Sequence, residues 1–440
     1  MFRDISAFHD WFADRSRANA YRVARTPLDQ LDGWHFDADT NLVHRSGRFY
    51  SIEGLEVVTD HREVESWTQP IIRQPEIGIL GILVKEFDGV PHCLMQAKME
   101  PGNINMIQLS PTVQATRSNY MRVHQGNAVP YLEYFVAPRR GRVVFDALQS
   151  EQGSWFLNKR NRNMIVEVAD EVELLEDFCW LTFDQLGELL REDNLVNMDS
   201  RTVLSGLPFL SWPGGSPGLD GRAAHPAEEL LSWFTEARSR YRLDRRVLPL
   251  AQVGGWVRDA EVIRHESNRY FTVVGVDVQA SNREVSSWSQ PMIKPSDRGV
   301  IAFLSRWIDG VFHVLVQART EAGTSDVVEM SPTVNCIPSN YRGSPVAQRP
   351  RYLDQVLMAP ASSVLLDVVH SEEGGRFYHA ENRYLVVETD EAFPAEVPED
   401  FVWMTPEQLV GFVRYGNYVN VAARCLLTCM NVGHRVPEPV

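Results

Sequence analysis

The chain contains few cysteines and has no excess of positive charge. Its 5 cysteines in 440 residues form no CxxC pair, which excludes a disulfide framework and the usual cysteine-based zinc sites. No run approaches the roughly twenty apolar residues of a membrane-spanning helix. With 43 basic and 58 acidic residues, the net charge is -15, which disfavours nucleic-acid binding by broad phosphate neutralisation. We therefore expect a cytoplasmic protein that binds neither membranes nor nucleic acids.

Several motifs of common enzyme classes are also missing. The sequence has no dinucleotide-binding GxGxxG, no GxxxxGK[ST] phosphate loop and no HExxH zinc motif, so these routes to nicotinamide, nucleotide-hydrolysing and metalloprotease chemistry are not indicated. No His and Cys spacing indicates a metal site either. We expect no metal and no cofactor.

The strongest positive feature is an internal repeat. The segment VESWTQP at 64–70 returns as VSSWSQP at 285–291, and LSPTV at 109–113 returns as MSPTV at 330–334. The triplet SNY recurs with the same offset. A register held over most of each half indicates two copies of one domain, because solenoid and propeller repeats have periods of only about 20–50 residues.

Glycine and proline are concentrated between the two copies, at 205–227. These residues disfavour both helices and strands, and a cluster of them between two patterned regions is typical of a linker. We therefore predict a first domain at 1–204, a linker at 205–227 and a second domain at 228–440.

Each copy has the pattern of an α+β domain. Apolar and aromatic residues at helical spacing predict an opening helix at 4–20 and again at 228–241. Thr182 and Thr405, each followed by acidic residues, predict the start of a closing helix. Strand-forming residues predict first-copy strands at 49–52, 78–84, 92–97, 143–145 and 164–168. The sequence thus predicts a mainly antiparallel or mixed sheet with flanking helices.

Polar residues that differ between the copies are the best candidates for a site, because residues shared by both copies can serve the common fold. The first copy is more polar in the region of 96–125, and its segment NKRNRN at 158–163 is more basic than HAENRY at 379–384. A basic turn can also be a solvated surface. An anion site present in one copy only would fit the first copy better.

Five segments of the first copy resemble the NDP-hexose 2,3-dehydratases of deoxysugar biosynthesis: QAKMEPGN at 96–103, QLSPTVQAT at 108–116, SNY at 118–120, YLEYF at 131–135 and LQSEQG at 148–153. The resemblance covers both halves of the chain. It implies two tandem Nudix-like mixed-sheet domains, a homodimer, and action on dTDP-4-keto-6-deoxy-D-glucose in antibiotic biosynthesis. The Nudix hydrolase signature is absent from both copies, so pyrophosphate hydrolysis is not expected.

The implied reaction is that of a carbon-oxygen hydro-lyase. A ketone at C4 acidifies the hydrogen on C3, so a general base removes this hydrogen while donors stabilise the enolate. The C2 hydroxyl then leaves with the help of a general acid. Tautomerisation gives a 3,4-diketo-2,6-dideoxyhexose without a redox cofactor.

We assign these roles to first-copy residues. The candidates for the general base and acid are Glu151, Tyr131 and His124. The candidates for enolate or hydroxyl contacts are Lys98, Gln96 and Asn119. The diphosphate is expected near Lys159, Arg160 or Arg162, because guanidinium groups match phosphate oxygens. Trp67 and Tyr120 are candidates for stacking on thymine, although Trp67 also fits a core role.

Two questions stay open at this stage. The second copy retains residues that would suit a further nucleotide site: Trp288, Arg319, Tyr341, Tyr352, Glu372 and Arg383. The alternatives to the dehydratase are another nucleotide-sugar lyase or isomerase, and a non-enzymatic sugar-nucleotide-binding scaffold. A 3-ketoreductase is the predicted downstream partner of the enzyme.

Overall fold

The computed structural model describes residues 2–62, 64–117, 128–138, 140–208, 223–281, 285–390, 392–394 and 396–431. The elements of the first repeat are α1 (Ile5–Ala18), β1 (Tyr21–Thr26), β2 (Trp34–Phe36), β3 (Leu42–His44), β4 (Ser51–Thr59), β5 (Ser66–Arg73), β6 (Gly78–Phe87), β7 (Val90–Met99), β8 (Ile107–Ser110), β9 (Val113–Ala115), β10 (Arg142–Ser150), β11 (Arg160–Glu167), β12 (Phe178–Thr182), α2 (Phe183–Leu189) and α3 (Met198–Leu204).

The second repeat has the same order of sheets and flanking helices. Its elements are α4 (Ala227–Arg240), β13 (Leu243–Leu248), β14 (Trp256–Arg258), β15 (Val262–His265), β16 (Phe271–Ala280), β17 (Ser287–Pro295), β18 (Gly299–Ile308), β19 (Val311–Arg319), β20 (Glu329–Pro332), β21 (Val334–Cys336), α5 (Leu353–Leu357), β22 (Val364–Ser371), β23 (Glu381–Glu388), β24 (Phe401–Met404), α6 (Pro406–Val413) and α7 (Val421–Asn431).

Each repeat forms a seven-stranded mixed sheet from its own strands. In the first repeat the order is β10-β11-β6-β7-β12, with β8 beside β7 and β9 beside β6. The β11 and β6 strands are parallel, and the other pairs are antiparallel. Residues 78–84 of β6 are buried without interruption, as expected of a strand covered on both faces. The mixed α and β content predicted from the sequence is confirmed, whereas the Nudix-like topology stays a prediction.

The five-stranded antiparallel sheets exchange strands between the repeats. In the first repeat's sheet, β4 pairs with β13 of the second repeat, and in the second repeat's sheet β16 pairs with β1 of the first. The sheets therefore do not follow the division of the sequence into repeats, and the two halves are interlocked. The domain boundaries at 204 and 228 stay a prediction.

Two buried arginines cross between the repeats, where α3 packs against α7. Arg201 on α3 donates from Nη2 to the carbonyl oxygen of Ser371 at 2.5 Å, and Arg424 on α7 donates to that of Ser150 at 2.5 Å. Both side chains are completely buried, so an unpaired guanidinium would be strongly destabilising. Each arginine thereby ties down the end of a strand, β22 or β10, in the other repeat.

Two glycine loops complete the contact between the repeats. The N–H of Gly102 donates to the carbonyl of Gly374 at 2.7 Å, and the N–H of Gly323 donates to that of Gly153 at 2.6 Å. A Cβ atom on Gly102 would lie 1.8 Å from the carbonyl oxygen of Phe377. Only glycine allows backbones to approach this closely, so the loops lock the ends of the two mixed sheets together.

The predicted helices are largely confirmed. The opening helices are α1 and α4, and the closing helices are α2 and α6. Thr182 and Thr405 cap the closing helices, each accepting the N–H three residues on at 3.1 Å. No helix in the described part of the chain is long and apolar enough to span a bilayer.

Candidate active site

A cavity of about 430 Å³ opens where the two repeats meet. Residues of the first repeat line most of it, among them residues of β2, β6, β7, β9, the β5–β6 and β10–β11 loops and α3, and the second repeat contributes β17 and the β22–β23 loop. The charged residues that line the cavity include Lys98, Glu100, Glu151, Lys159, Asp199, Glu373 and Arg376. Opposite charges are therefore brought together from both halves of the chain.

Lys98 and Glu100 stand at the end of β7, where alternation along the strand directs both to one face. Only 7% of Lys98 and 3% of Glu100 is exposed. Lys98 donates from Nζ to the carbonyl of Gln114 at 3.0 Å, and the Gln114 amide donates to Oε1 of Glu100 at 2.6 Å. The edge of β9 thus holds both charged groups against the cavity.

Glu151 follows directly after β10, the strand end that Arg424 ties down. Its Oε1 accepts from Nδ2 of Asn161 at 2.7 Å. Its Oε2 is buried and has no hydrogen-bond partner among the described residues. Burial raises the pKa of Glu151 above its usual range, and the nearby charges of Arg424 and Lys159 only partly oppose the effect. A carboxylate oxygen without a protein partner is free for a ligand.

Lys159 enters the cavity from the β10–β11 loop. Its ammonium group donates to the carbonyl of Glu76. Burial lowers the pKa of Lys159 to about 8, although the Glu151 carboxylate opposes this shift. The side chain is therefore still mostly cationic near neutral pH, but close to the point at which it gives up its proton.

Asp199 was not predicted as a site residue. It lies on α3, only 3% exposed, and its Oδ1 has no partner among the residues that the structure describes. Burial raises the pKa of Asp199 well above its usual value, and the charges of Glu100 and Glu151 raise it further. These surroundings favour the protonated form of the carboxyl group.

The second repeat contributes one aromatic and two charged side chains to this cavity. The sequence analysis placed Trp288 in a separate second site and did not predict Glu373 or Arg376. Trp288 on β17 lines the cavity and donates from its indole N–H to Gln290 at 2.8 Å. Arg376 places its guanidinium 4.2 Å from the centre of the Tyr50 ring and donates to Gln74 at 3.1 Å. Glu373, on the same loop as Arg376, completes the charged lining.

The predicted first-copy residues divide into three groups. Lys98, Glu151 and Lys159 line the cavity. Gln96, Trp67, Tyr131, Arg160 and Arg162 do not line it. Asn119, Tyr120 and His124 lie outside the described residues. The catalytic and binding roles given to all of these residues stay predictions.

Tyr131 and Arg162, which do not line the cavity, form hydrogen bonds elsewhere in the structure. The Tyr131 hydroxyl donates to the carbonyl of Glu173 at 2.7 Å within the core. Arg162 forms a two-pronged contact with Asp146 at 2.7 and 2.5 Å, and Arg383 repeats this contact with Asp367. A pair that occurs in both repeats is explained by the common fold, so these arginines are poorer candidates for phosphate contacts than Lys159 or Arg376.

The predicted second-copy set does not form one site. Trp288 lines the first-repeat cavity, whereas Tyr341 lines a separate open cleft of about 550 Å³. Tyr352 packs in the core, and Arg319 pairs with Glu321 at 3.3 Å. Glu372 accepts three hydrogen bonds, from Gln152 and Tyr384 at 2.7 Å and from Asn382 at 2.6 Å.

A metal centre has no visible basis in the part of the chain that the structure describes. No three His, Cys, Asp or Glu side chains there are grouped so that they could hold an ion.

Comparison with known proteins decides the family. The sequence model of the NDP-hexose 2,3-dehydratases matches residues 5–207 and again 227–430. The chain belongs to the NDP-hexose 2,3-dehydratase family. The resemblance inferred from the sequence is thus confirmed, and the two matched segments confirm that such a dehydratase contains the family's domain twice.

Three relatives of this dehydratase carry the name dTDP-4-dehydro-6-deoxy-alpha-D-glucopyranose 2,3-dehydratase. The protein from Streptomyces violaceoruber is 57% identical over 97% of both chains. That from Amycolatopsis orientalis is 53% identical over 97% of this chain and 90% of its own. That from Saccharopolyspora spinosa is 51% identical over 96% of this chain and 90% of its own.

Proposed function

We propose that the protein is a hydro-lyase that removes water across C2 and C3 of dTDP-4-keto-6-deoxy-D-glucose, the sugar nucleotide in the names of its relatives. The product is a dTDP-3,4-diketo-2,6-dideoxyhexose. The observation that carries the proposal is the carboxylate of Glu151, whose Oε2 has no partner in the described structure and which shares a cavity with Lys98 and Lys159. This arrangement offers a base beside cations, as enolate chemistry requires.

Glu151 acts as the general base for the C3 hydrogen. General bases work best when their pKa approaches the working pH, and burial shifts the pKa of Glu151 in that direction. Its other oxygen is held by Asn161 at 2.7 Å, so the carboxylate is positioned before the substrate arrives. The same oxygen that lacks a partner is the one available for proton transfer.

Lys98 and Lys159 stabilise the negative charge that develops on the C4 oxygen. Each ammonium group is held by a backbone carbonyl, of Gln114 or of Glu76. Positively charged donors fixed in a buried cavity stabilise an oxyanion more than they would in water, because they need not reorganise.

Arg376 and Trp288 bind the nucleotide end of the substrate. The Arg376 fork suits diphosphate oxygens, and its stacking on Tyr50 fixes the guanidinium plane. Trp288 offers an aromatic face to thymine. The cavity volume of about 430 Å³ falls within the range of roughly 300–1,000 Å³ that small-molecule sites occupy.

The finer expectations of the sequence analysis belong to the same proposal. The two repeats, with boundaries at 1–204 and 228–440, have a Nudix-like fold, and the chain forms a homodimer in the cytoplasm. The reactive diketo product is passed to a 3-ketoreductase, and the resulting deoxysugar is used in antibiotic biosynthesis.

Incubation with dTDP-4-keto-6-deoxyglucose, without added metal or nicotinamide, tests the function. Mass spectrometry should detect the loss of one water, or free dTDP with a breakdown product of the unstable sugar. The controls are an enzyme-free sample and the E151Q variant. Intact substrate that binds tightly would favour the scaffold, and a rearranged sugar of unchanged mass would favour an isomerase.

A further inference from the structure

We infer that Glu373, a residue of the second repeat, donates the proton with which the C2 hydroxyl leaves as water in the cavity of the first repeat. The inference rests on the proposed dehydration, because it assigns the acid of that reaction. The second repeat would thus supply half of the acid-base pair to a cavity that is lined mainly by the first repeat.

The backbone around Glu373 is held against the first repeat. The carbonyl of the next residue, Gly374, accepts from the N–H of Gly102 at 2.7 Å, and the Gly102 carbonyl accepts from the N–H of His379 at 2.8 Å. Gly102 is two residues beyond Glu100, which lines the same cavity. Backbone hydrogen bonds to the first repeat therefore hold the second-repeat loop that presents Glu373 to the cavity.

The symmetry of the repeats indicates which group Glu373 faces. Gln152 occupies the position in the first repeat that Glu373 occupies in the second, and its amide donates to Oε2 of Glu372 at 2.7 Å. Glu372 is in turn the equivalent of Glu151. By the equivalence of the repeats, Glu373 is directed toward Glu151 as Gln152 is directed toward Glu372. The Glu373–Glu151 pair has a carboxyl group where the Gln152–Glu372 pair has an amide donor.

Both carboxyl groups keep an oxygen for the substrate. The Oε2 atoms of Glu151 and of Glu373 are shielded from solvent, and neither has a hydrogen-bond partner among the described residues. Two neighbouring carboxyl groups do not both ionise readily, so one of them retains a proton. Burial, with help from the charges of Glu100 and Glu151, raises the pKa of Glu373 to about 8 although Arg376 opposes the shift.

Proton transfers to and from Glu151 and Glu373 account for both protons that move in the reaction. Glu151 removes the C3 proton and the electron pair moves into the C4 enolate. The enolate returns this pair to form the C2–C3 double bond, the C2–O bond breaks with its own pair, and the Glu373 proton joins the departing oxygen to give water. Tautomerisation restores both residues, since the C3 enol returns a proton to Glu373 and Glu151 delivers its proton to C2.

The test compares E373Q with wild type on two substrates. Glutamine is the resident at the equivalent position 152, so the fold accommodates it there. The second substrate is the 2-deoxy-2-fluoro analogue, because fluoride leaves without a proton. Loss of a general acid should slow water elimination by about 10²–10⁴-fold but fluoride release by less than about tenfold.

Equal losses on both substrates would overturn the assignment, because a variant that merely displaces Glu151 would slow both reactions. Asp199 is the competing proton donor in the cavity, so D199N is assayed in parallel. If D199N but not E373Q recovers turnover on the 2-deoxy-2-fluoro analogue, the general acid is Asp199 and the inference is contradicted.

Exchange in deuterium oxide separates the acid from the base. E373Q should still exchange the C3 hydrogen of the natural substrate, located by NMR, whereas E151Q should not. Loss of exchange in E373Q with its retention in E151Q would refute the assigned roles. If wild type eliminates neither water nor fluoride, the proposed function itself fails, and this outcome differs from a failure confined to E373Q.

Discussion

Glu151 and Glu372 occupy equivalent positions in the two repeats, but their carboxylates have different surroundings. Glu372 accepts three hydrogen bonds, which engage both of its oxygens. Glu151 accepts one, from Asn161, and its Oε2 has no partner in the described part of the protein. The same residue is thus a structural acceptor in one repeat and an available base in the other.

Four further positions carry a charged residue in only one of the two repeats. Lys159 and Asp199 of the first repeat correspond to Ala380 and Ala422 in the second, which cannot carry charge. Conversely, the second repeat has Glu373 and Arg376 where the first has Gln152 and Trp155. All four charged members of these pairs line the one cavity.

The equivalents of two cavity residues, Arg376 and Lys98, have different contacts in the counterpart region. Trp155 packs edge-on against Phe377, with ring centres 4.5 Å apart. Arg319, the equivalent of Lys98, pairs with Glu321 at 3.3 Å, and both side chains are about 10% exposed. Under the proposed function, the comparison teaches that duplication need not give two equal sites, because charged residues of both copies line the same cavity.

The largest expected effect distinguishes the two equivalent glutamates. E151Q should lower kcat by about 10²–10⁴-fold, because it removes the general base without changing its shape. E372Q should instead lower the thermal midpoint, since an amide cannot accept from all three donors, and should lower kcat far less. Steady-state kinetics and thermal unfolding of both variants provide the measurement. Comparable losses of kcat with unchanged midpoints would show that the repeats are catalytically alike.

The next effect concerns the cations. K159A introduces the residue of the second repeat at this position and should lower kcat by about 10²–10³-fold, the usual cost of one oxyanion donor. K159R, which keeps the charge, should recover part of the loss. R319A serves as the matched second-repeat variant, and its kcat should change much less because Arg319 already pairs with Glu321. A greater kcat loss in R319A than in K159A would reverse the assignment of the site.

A smaller effect is expected on nucleotide affinity. W288A should weaken dTDP binding by about 1–3 kcal/mol, the usual contribution of stacking on a base. W67A should leave binding nearly unchanged, because Trp67 does not line the cavity. Calorimetry should also give one dTDP per chain in wild type. Two equivalent sites, or equal weakening by both variants, would argue against the asymmetry.

The smallest effect is a pH dependence of stability. Because burial raises the pKa of Glu373 from 4.5 to about 8, the folded state binds this proton more tightly than the unfolded state does. The stability from this group is complete below about pH 4.5 and is lost as the pH rises through about 8. E373Q lacks this titration. Its thermal midpoint should therefore rise relative to that of wild type as the pH increases from about 4.5 to about 8.

The titratable groups that act on Glu373 or respond to it are Tyr50, Glu100, Glu151, Lys159, Asp199 and Arg376. They are present in both proteins, so the pH-dependent part of the difference between the two midpoints reports the ionisation of Glu373 together with its coupling to these groups. A constant difference from about pH 4.5 to about pH 8 would mean that Glu373 ionises normally.

Local signals in the sequence were sufficient for the repeat, the helices and part of the site. Thr182 and Thr405 marked helix starts through side-chain capping, which involves only neighbouring residues. The exchange of β1 and β13 between the repeats was not predictable, because the pairing partner of a short strand depends on tertiary contacts and not on its own composition.

Only part of the candidate site could be predicted from the sequence, for the same reason. Lys98, Glu151 and Lys159 were identified because they lie in first-copy segments. Glu373 and Arg376 were missed because the prediction sought a site within one repeat. A signal did exist, since alignment of the copies places charge at 373 and 376 only in the second. It could be interpreted only once the loops were known to meet.

The most direct test is a structure of the E151Q variant with dTDP-4-keto-6-deoxyglucose bound. The account predicts one substrate per chain, with the sugar between residue 151 and Glu373, the diphosphate at Arg376 and the thymine at Trp288. A sugar bound beside Arg319 and Glu372, or one that contacts residues of a single repeat, would contradict a composite site.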